Sequence, residues 1–367
     1  MPNQKYLGTS GYVQQLEKAF AKKMGAEYAV AMNSGTATLH ASLLALGIGP
    51  GDEVIVPALG PIMTAAAVIQ VGAKPVFCDV EPLTFTMDIR GDLWKKLGPN
   101  TKAIISVSLY GMPCRLDELQ DICGERNLWH IEDNAQCYLA TFKGKLVGRY
   151  GQVASYSFEQ SKHITCGEGG IITTDDGYLA QNIRMYANHG YACMTAEGAR
   201  LPKMVIQQPG YKRHDWIGWN YRLAEPLAEI ALEQVNRLEE IVARRVAVGE
   251  MFRNVLEDYG FFSLQVVPND RTHSYYTLAA AYHKEATGVS WRDFYDRYKS
   301  LGGDGIYASW SVPYAEPAIA DLGYGDYCPG AEYLQDRLMQ FPTNDSVDEA
   351  ARKAVVLRKL CEEIQSR

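Results

Sequence analysis

Short apolar segments alternate with helical segments from about residue 12 to residue 250. Several of the apolar segments end at, or just before, a proline or an aspartate. Such alternation is typical of βαβ units, because neighbouring parallel strands need a crossover connection that is usually a helix. The sequence therefore predicts an α/β fold with a mainly parallel, mixed sheet flanked by helices. Its candidate strands are Tyr28–Met32, Glu53–Pro57, Pro75–Asp79, Ala103–Ser108, Trp129–Asp133, Val153–Phe158 and Ile171–Thr174.

The chain is long enough for two domains, since 367 residues exceed what one hydrophobic core usually holds. From Leu227 to Tyr259, apolar side chains recur every three or four residues, which predicts one long amphipathic helix. Beyond it, the pattern predicts a strand over Tyr275–Tyr282 and a final helix from about Val347 to Ile364. We expect a large domain over residues 1–250 and a smaller α+β domain over residues 251–367.

The composition excludes several classes of protein. The net charge is -7, so the chain lacks the basic excess with which nucleic-acid binders displace counterions from phosphate. None of the 8 cysteines forms a C-x-x-C pair, which argues against a disulfide framework or a cysteine zinc site. No apolar run approaches the ~20 residues of a membrane span, and the first residues lack the apolar core of a signal peptide. We therefore expect a soluble cytoplasmic protein that binds no nucleic acid or membrane, and the composition assigns no metal site.

A glycine and three hydroxyl side chains follow the first candidate strand, in the segment Asn33-Ser34-Gly35-Thr36-Ala37-Thr38. The free N–H groups at the start of a helix bind anions such as phosphate, and glycine lets the backbone approach closely. The same residues also suit an ordinary Ser/Thr N-cap. Both interpretations stay open on this segment alone.

Asp133 and Gln136 lie at the carboxyl end of a strand expected to be buried. Ligands of doubly wound sheets bind at this edge. A buried carboxylate is costly without a cationic partner, so Asp133 indicates a positively charged ring nitrogen or a metal, with capping of the next turn as the alternative. Glu132 points to the opposite face and is expected to be solvated or structural.

Lys162 lies between a candidate strand and the glycine-rich turn Gly167-Glu168-Gly169-Gly170. A lysine on such a turn can form a Schiff base with a carbonyl cofactor, although most lysines are merely solvated. For the neighbouring His163 we expect a local structural hydrogen bond.

Two further residues are candidates for contact with a substrate. Lys212 belongs to a charged cluster that would either bind an anionic group or form a solvated surface. Tyr307 lies in an aromatic stretch of the C-terminal part with Trp310 and Tyr314, and core packing is expected for most of these three rings.

Together these segments resemble the DegT/DnrJ/StrS sugar aminotransferases, a family of fold-type I enzymes that depend on pyridoxal 5′-phosphate (PLP). The resemblance implies a fold-type I PLP-dependent transferase with a large domain and a smaller C-terminal domain. Its motifs, in order and at the expected spacings, are Gly8, Leu16-Glu17, Asn33-Ser34-Gly35-Thr36, Gly51-Asp52-Glu53-Val54-Ile55-Val56-Pro57, Glu132-Asp133, Ser157-Phe158, Lys162, Gly167-Glu168-Gly169-Gly170 and Asn220-Tyr221-Arg222-Leu223.

The resemblance implies a role for each matching residue. Lys162 would bind PLP as a Schiff base and carry the proton during amino-group transfer. Asp133 would pair with the pyridinium nitrogen, and Gln136 would lie beside the phenolic oxygen of the ring. The remaining cofactor-binding residues of the same chain are Ser34, Gly35, Thr36 and Ser157, the last three at the phosphate.

Asn220 would reach the phosphate from the partner subunit, which implies a homodimer with shared active sites. Arg222 would either meet a substrate carboxylate or pair with Glu225. The chain departs from the family where Gly60-Pro61 replaces a threonine and a ring-stacking aromatic residue, so that stacking would come from elsewhere, Pro61 being one candidate. Asn134 also replaces a residue that is commonly small.

The resemblance implies an enzyme of amino-sugar biosynthesis that moves an amino group from glutamate or glutamine to a keto sugar by a ping-pong mechanism. Lys162 favours transamination, because related dehydratases carry histidine at that position. The alternatives are another fold-type I reaction, namely elimination, decarboxylation or aldol cleavage, and a PLP-binding sensor without turnover. The acceptor stays open among a nucleotide-linked keto sugar, a keto-inositol and an oxidised eight-carbon sugar acid of the lipopolysaccharide type.

Overall fold

The computed structural model describes residues 11–199 and 207–366 of the chain, and Gly8 lies outside them. Its large sheet and the two hairpins beside it contain eleven strands. They are β1 (Tyr28–Met32), β2 (Glu53–Pro57), β3 (Lys74–Cys78), β4 (Thr101–Val107), β5 (Trp129–Asp133), β6 (Thr141–Phe142), β7 (Lys145–Leu146), β8 (Val153–Ser157), β9 (Gly170–Thr174), β10 (Met194–Thr195) and β11 (Gly198–Ala199).

Seven of these strands form one sheet in the order β1-β9-β8-β5-β4-β2-β3. Every strand is parallel to the others except β9, which pairs antiparallel with both β1 and β8. The prediction of a mainly parallel, mixed sheet is therefore confirmed. All seven predicted strands are present, each within two residues of its expected bounds.

Helices cover both faces of this sheet. Along β1, Val30 and Met32 belong to one hydrophobic cluster, whereas Ala29 and Ala31 belong to another, as the two-residue period of a strand requires. Each face is therefore apolar and is shielded from water by its own layer of helices. The helices of this part are Tyr12–Met24, Gly35–Ala45, Ile62–Gln70, Asp92–Lys96, Leu116–Arg126, Gly177–Ala187 and Glu225–Asn236, with a short 3₁₀ turn at Leu109–Gly111.

The predicted single helix from Leu227 to Tyr259 is wrong in one respect. The structure has two helices, Glu225–Asn236 and Leu238–Leu256, separated at Arg237, whose φ of -112° and ψ of 17° lie outside helical geometry. Buried Val235 and Leu238 continue the apolar stripe across the break. Because neither glycine nor proline marks the break, the sequence pattern carried no signal for it.

A second, antiparallel sheet follows, in the order β12-β13-β15-β14. Its strands are β12 (Phe262–Leu264), β13 (Thr277–Tyr282), β14 (Tyr307–Ala308) and β15 (Leu338–Pro342). The helices Leu238–Leu256 and Val347–Gln365 share a hydrophobic cluster with this sheet. The accompanying elements are the helices Lys284–Thr287, Trp291–Ser300, Pro317–Ala320 and Pro329–Gln335 and the 3₁₀ turn Pro313–Ala315.

The predicted final helix is confirmed, but the predicted strand Tyr275–Tyr282 begins two residues later. The N–H groups of Ser274 and Tyr276 donate to the carbonyls of Gly111 and Tyr110, on a turn of the large sheet. This segment is therefore bonded to the first part of the chain instead of to β15. The domain boundary near residue 250 stays a prediction.

Three expectations from the composition can be compared with the structure, for the described residues only. No helix among them is long and apolar enough to cross a membrane. No group of three or more candidate ligands in this part of the chain is arranged to hold a metal ion. The 8 cysteines are free and buried.

A buried ion pair joins the first helix to the large sheet. The carboxylate of Glu17 accepts both Nη groups of Arg184, at 2.9 and 3.0 Å, and the N–H of Ala31 at 2.9 Å. Both side chains are almost fully buried. Removing one partner of such a pair leaves the other charge uncompensated in an apolar surrounding.

We predict that Glu17→Ala lowers the free energy of unfolding by about 3–5 kcal/mol, because Arg184 then stays buried without its counter-charge. Glu239→Ala is the matched control, since it removes the ion pair of Glu239 with Lys23 at the surface and should cost at most about 1 kcal/mol. Urea unfolding of the three proteins measures both effects. Equal losses for the two variants would contradict the assignment of a buried, structurally required pair.

Candidate active site

Several segments meet at one edge of the large sheet. The parallel strands β1, β4, β5 and β8 end there, and the antiparallel β9 begins there. A cavity of about 330 Å³ opens at this edge, where open α/β sheets bind their ligands. Seven of the predicted cofactor-binding residues line it, namely Ser34, Gly35, Thr36, Asp133, Gln136, Ser157 and Lys162.

The start of the helix Gly35–Ala45 forms one wall of the cavity. A Cβ atom on Gly35 would lie 2.9 Å from the Cβ of Ser157, and one on Gly170 would lie 2.6 Å from the carbonyl oxygen of Ser34. Both contacts are shorter than side chains tolerate, so glycine is required for β8, β9 and this helix to approach one another. The N–H groups of Gly35 and Thr36, which have no partner inside the helix, therefore lie close to the hydroxyl of Ser157.

Ser34 is the N-cap of its helix, as the second interpretation of this segment predicts. Its Oγ accepts the N–H of Ala37 at 3.1 Å and so caps the helix. Ser34 also lines the cavity. The cap and the anion-binding interpretation are therefore compatible, because the cap uses one N–H group and leaves the earlier ones free.

Asp133 is buried at the end of β5, with 4% of its surface exposed. Its carboxylate accepts the hydroxyl of Thr64 at 3.0 Å and the N–H of Ala135 at 3.1 Å. Burial raises the pKa of Asp133 above its ordinary value, whereas these two donors and the charge of Lys162 act to lower it. A cation placed against this carboxylate would relieve the cost of its burial.

Gln136 presents an unused donor to the cavity. Its Oε1 accepts the N–H of Tyr110 at 2.8 Å, which fixes the orientation of the amide. Its Nε2 is buried and has no partner among the described residues. A buried donor without a partner is costly, so an acceptor on a bound molecule fits this position.

Lys162 projects from a turn between β8 and β9. The turn is closed by the N–H of Lys162, which donates to the carbonyl of Glu159 at 3.0 Å. The amine lies 4.8 Å from the centre of the Tyr276 ring. Tyr276 immediately precedes β13, so the segment that leads into the second sheet also contributes to the cavity.

Two predictions about neighbouring residues are refined by the structure. Glu132 is structural and not solvated, because its buried carboxylate accepts the N–H groups of Gly148, Tyr150 and Gly151. The hydrogen bond of His163 is structural but not local, since Nε2 contacts the carbonyl of Ser274 at 2.9 Å. Burial lowers the pKa of His163 well below its ordinary value.

The structure also shows where Pro61 and Asn134 lie, the two departures from the family pattern. Pro61 lines the cavity and precedes the helix Ile62–Gln70. Asn134 is fully buried beside Asp133, and its Oδ1 accepts the hydroxyl of Ser108 at 2.8 Å. Asn134 thus joins β5 to the end of β4 and does not line the cavity.

Asn220 and Arg222 lie outside the cavity of their own chain. The segment that carries them pairs with the end of β1, where the N–H of Asn33 donates to the carbonyl of Tyr221 at 2.8 Å. Asn220 is exposed, and Nη1 of Arg222 is buried without a partner among the described residues.

The suggested pairing of Arg222 with Glu225 is wrong. The carboxylate of Glu225 instead accepts the N–H of Tyr12 at 2.6 Å and that of Val13 at 3.3 Å. It therefore caps the helix Tyr12–Met24, whose own N-cap position is a glycine.

Lys212 and Tyr307 do not line the cavity either. Lys212 is exposed, and Tyr307 lies on the edge strand β14 with 62% of its surface exposed. Core packing, expected for most of the three aromatic rings, holds for Tyr314 alone, since Trp310 lines the cavity and is partly exposed. The chain turns away from β14 after Ala308, and this turn brings Trp310 to the cavity. A local sequence pattern does not predict such a turn.

The implied cofactor can be compared with this donor set. A phosphate fits the free N–H groups of Gly35 and Thr36, a pyridinium nitrogen fits the buried carboxylate of Asp133, and a phenolic oxygen fits the unpaired Nε2 of Gln136. The amine of Lys162 completes the set for an aldehyde. PLP carries these four groups, so the residues present fit PLP.

Comparison with known proteins agrees with this donor set. The model of the DegT/DnrJ/EryC1/StrS aminotransferase family matches residues 2–358. GDP-perosamine synthase of Caulobacter vibrioides is 39% identical over 252 residues, which are 68% of this chain but only 63% of that relative. The matched segment thus spans less than two thirds of the relative's length.

Two solved structures are similar over nearly the whole chain. An aminotransferase from Psychrobacter cryohalolentis is 30% identical with a TM-score of 0.88, covering 97% of this chain and 93% of the other. DesV of S. venezuelae is 28% identical with a TM-score of 0.84, covering 96% and 90%. Both structures share the α/β fold described above.

We predict that Gly35→Ala weakens PLP binding by about tenfold or more, because the new Cβ would displace the Ser157 hydroxyl and crowd the anion site. Gly124→Ala is the control, since a Cβ on Gly124 meets nothing within 4 Å. Visible absorbance per chain, titrated with PLP, measures the affinity. Unchanged binding by the Gly35 variant would contradict the position of the anion site.

Proposed function

Because the chain belongs to the DegT/DnrJ/EryC1/StrS aminotransferase family, we propose that it transfers an amino group from an amino acid to a keto sugar with PLP as cofactor. The observation that carries this proposal is the convergence of Lys162, Asp133 and an anion-binding helix start on one cavity. Aminotransfer needs all three, since the cofactor must be attached, kept electron-poor and anchored.

In this proposal each group of the cofactor is bound by different residues of the chain. The N–H groups of Gly35 and Thr36 and the hydroxyl of Ser157 bind the phosphate. Asp133 keeps a proton on the ring nitrogen, and Gln136 donates Nε2 to the phenolic oxygen. Bound PLP supplies an electron sink that makes the bonds at the amino-bearing carbon labile.

Lys162 has two tasks in the same proposal. Its Nζ is the point of attachment for the cofactor aldehyde, and once released it moves a proton between the two carbons that exchange the amino group. The ring centre of Tyr276 lies 4.8 Å from this amine and covers one side of it.

We favour a nucleotide-linked keto sugar as acceptor and glutamate or glutamine as donor. A similar protein bears the name GDP-perosamine synthase, and the matching acceptor would be the ketone that corresponds to such an amino sugar. Two carboxylates, Glu159 and Glu168, and the ring of Trp310 also line the cavity. Carboxylates accept sugar hydroxyls and an aromatic ring packs against a sugar face, which suits a polyol better than an apolar substrate.

We also propose a homodimer with shared sites and a cytoplasmic location. Two of the proposed phosphate donors, Gly35 and Thr36, are only partly buried within one chain. Asn220 is exposed and lies outside the cavity of its own chain, so its side chain is free to serve a second copy. Two-fold symmetry would then complete both sites at once.

We predict that Lys162→Ala abolishes the visible band of attached PLP and lowers turnover by about 10²–10⁴-fold or more, because attachment and proton transfer are lost together. Lys102→Ala, at an exposed position outside the cavity, is the control and should keep both. Absorption spectra and steady-state rates measure the two effects. Near wild-type turnover by the Lys162 variant would refute the proposed function.

We predict that activity is restored when an inactive Lys162→Ala chain is mixed with an Asn220→Ala chain. Lys162→Ala and Asn220→Ala chains that assemble together should form one site free of both changes and one site carrying both. Activity should rise above that of either parent after refolding or subunit exchange. No recovery despite heterodimers verified by native mass spectrometry would reject the shared site.

A further inference from the structure

Arg245 is a buried arginine whose side chain ends directly behind the lysine of the cavity. It lies on the helix Leu238–Leu256 with 4% of its surface exposed. One terminal nitrogen, Nη2, donates to the carbonyl of Lys162 at 2.6 Å and to that of Ser161 at 3.1 Å. The other, Nη1, donates to the carbonyl of Tyr276 at 3.2 Å.

The surroundings of Arg245 differ from those of other buried arginines. Arg184 is paired with the carboxylate of Glu17, whereas no carboxylate pairs with Arg245 in the part of the chain that the structure describes. Burial lowers the pKa of Arg245 to about 10. Since a buried cation without a counter-charge is unfavourable, the usual gain from an ion pair does not account for its place.

The contacts of Arg245 connect two distant parts of the chain. Ser161 and Lys162 belong to the turn after β8, and Tyr276 belongs to the segment before β13. The hydroxyl of Tyr276 also lies 2.9 Å from Oγ of Ser161. The ring of Tyr276 in turn lies 4.8 Å from the amine of Lys162.

The planar shape of the guanidinium suits a side chain that bonds two segments of the chain at once. Its planar fork offers fixed donors in two directions, so one side chain bonds the carbonyls of both segments. A lysine has one ammonium on a flexible stem and cannot hold both sets of carbonyls in the same geometry. The neighbouring Arg244 is exposed on the same helix and makes none of these contacts.

We propose that Arg245 is a positioning residue, which holds the main chain of Ser161 and Lys162 against Tyr276 and thereby fixes the place of the Lys162 amine in the cavity. This inference rests on the proposed function, in which that amine moves the proton. Arg245 acts through the backbone of Lys162 and does not itself line the cavity.

The test compares Arg245→Met and Arg245→Lys with the matched control Arg244→Met. We expect kcat to fall about 10- to 100-fold in Arg245→Met, the range for a small misplacement of a reacting group, and less in Arg245→Lys. The KM for the amino donor should change little, because substrate contacts are not removed. The control should retain wild-type kcat.

A second readout follows the turn itself. Amide hydrogen exchange of a peptide covering residues 158–166 should accelerate in both Arg245 variants, while peptides from β5 keep their wild-type protection. Arg245→Lys keeps a cation of similar length and serves as the deciding variant if Arg245→Met does not fold. Wild-type kcat together with wild-type exchange over residues 158–166 would overturn the inference.

One further outcome would overturn the inference, and another concerns only the proposed function. A loss of kcat that matches a uniform rise in exchange over the whole chain would show a merely structural role and overturn the inference. Failure of the proposed function is separate, since it would appear in the wild-type protein as absence of the PLP band or of amino transfer.

Discussion

The close backbone contact between β9 and the turn after β1 determines the arrangement of the whole site. Gly170 and Gly35 permit it, because a side chain at either position would collide with Ser34 or Ser157. The contact places the free N–H groups of a helix beside the end of β8. Since Lys162 lies on the connection from β8 to β9, the same contact also limits where its amine can be. Anion site and lysine are therefore linked through one pair of strands.

The parallel arrangement of β4, β5 and β8 accounts for the remaining groups. Their carboxyl ends share one edge, so Asp133 at the end of β5 lies at the same edge as Ser157 at the end of β8, and its carboxylate accepts the hydroxyl of Thr64 from the helix Ile62–Gln70. Burial there would favour the neutral acid, and Thr64 and Ala135 oppose this by donating to the carboxylate. The same principle recurs on the other face of β5, where three N–H groups stabilise buried Glu132. Hydrogen-bond donors thus support two adjacent buried carboxylates with different surroundings.

The sequence was sufficient to predict the parts of the fold and site that depend on local pattern. Strand boundaries, Asp133 at a strand end and Lys162 before a glycine-rich turn all follow from residues close together in the chain. Tyr276 and Trp310 were missed as cavity residues because they lie more than a hundred residues away, and only tertiary packing brings them there. The break at Arg237 was missed because no helix-breaking residue marks it. Tyr307 and Lys212 were suggested by residue type, which does not report the direction of a side chain.

The activity proposed for this chain is the transfer of nitrogen from an amino acid to the carbonyl of a sugar. The most direct measurement incubates the PLP-loaded protein with ¹⁵N-glutamate or α-¹⁵N-glutamine and a panel of nucleotide-linked keto sugars. The panel includes the ketone that corresponds to GDP-perosamine. Mass spectrometry then locates the label. The account predicts an amino sugar nucleotide that carries ¹⁵N, formed by the wild-type chain and not by Lys162→Ala. Recovery of every keto sugar unchanged, with all of the label still in the donor, would contradict it.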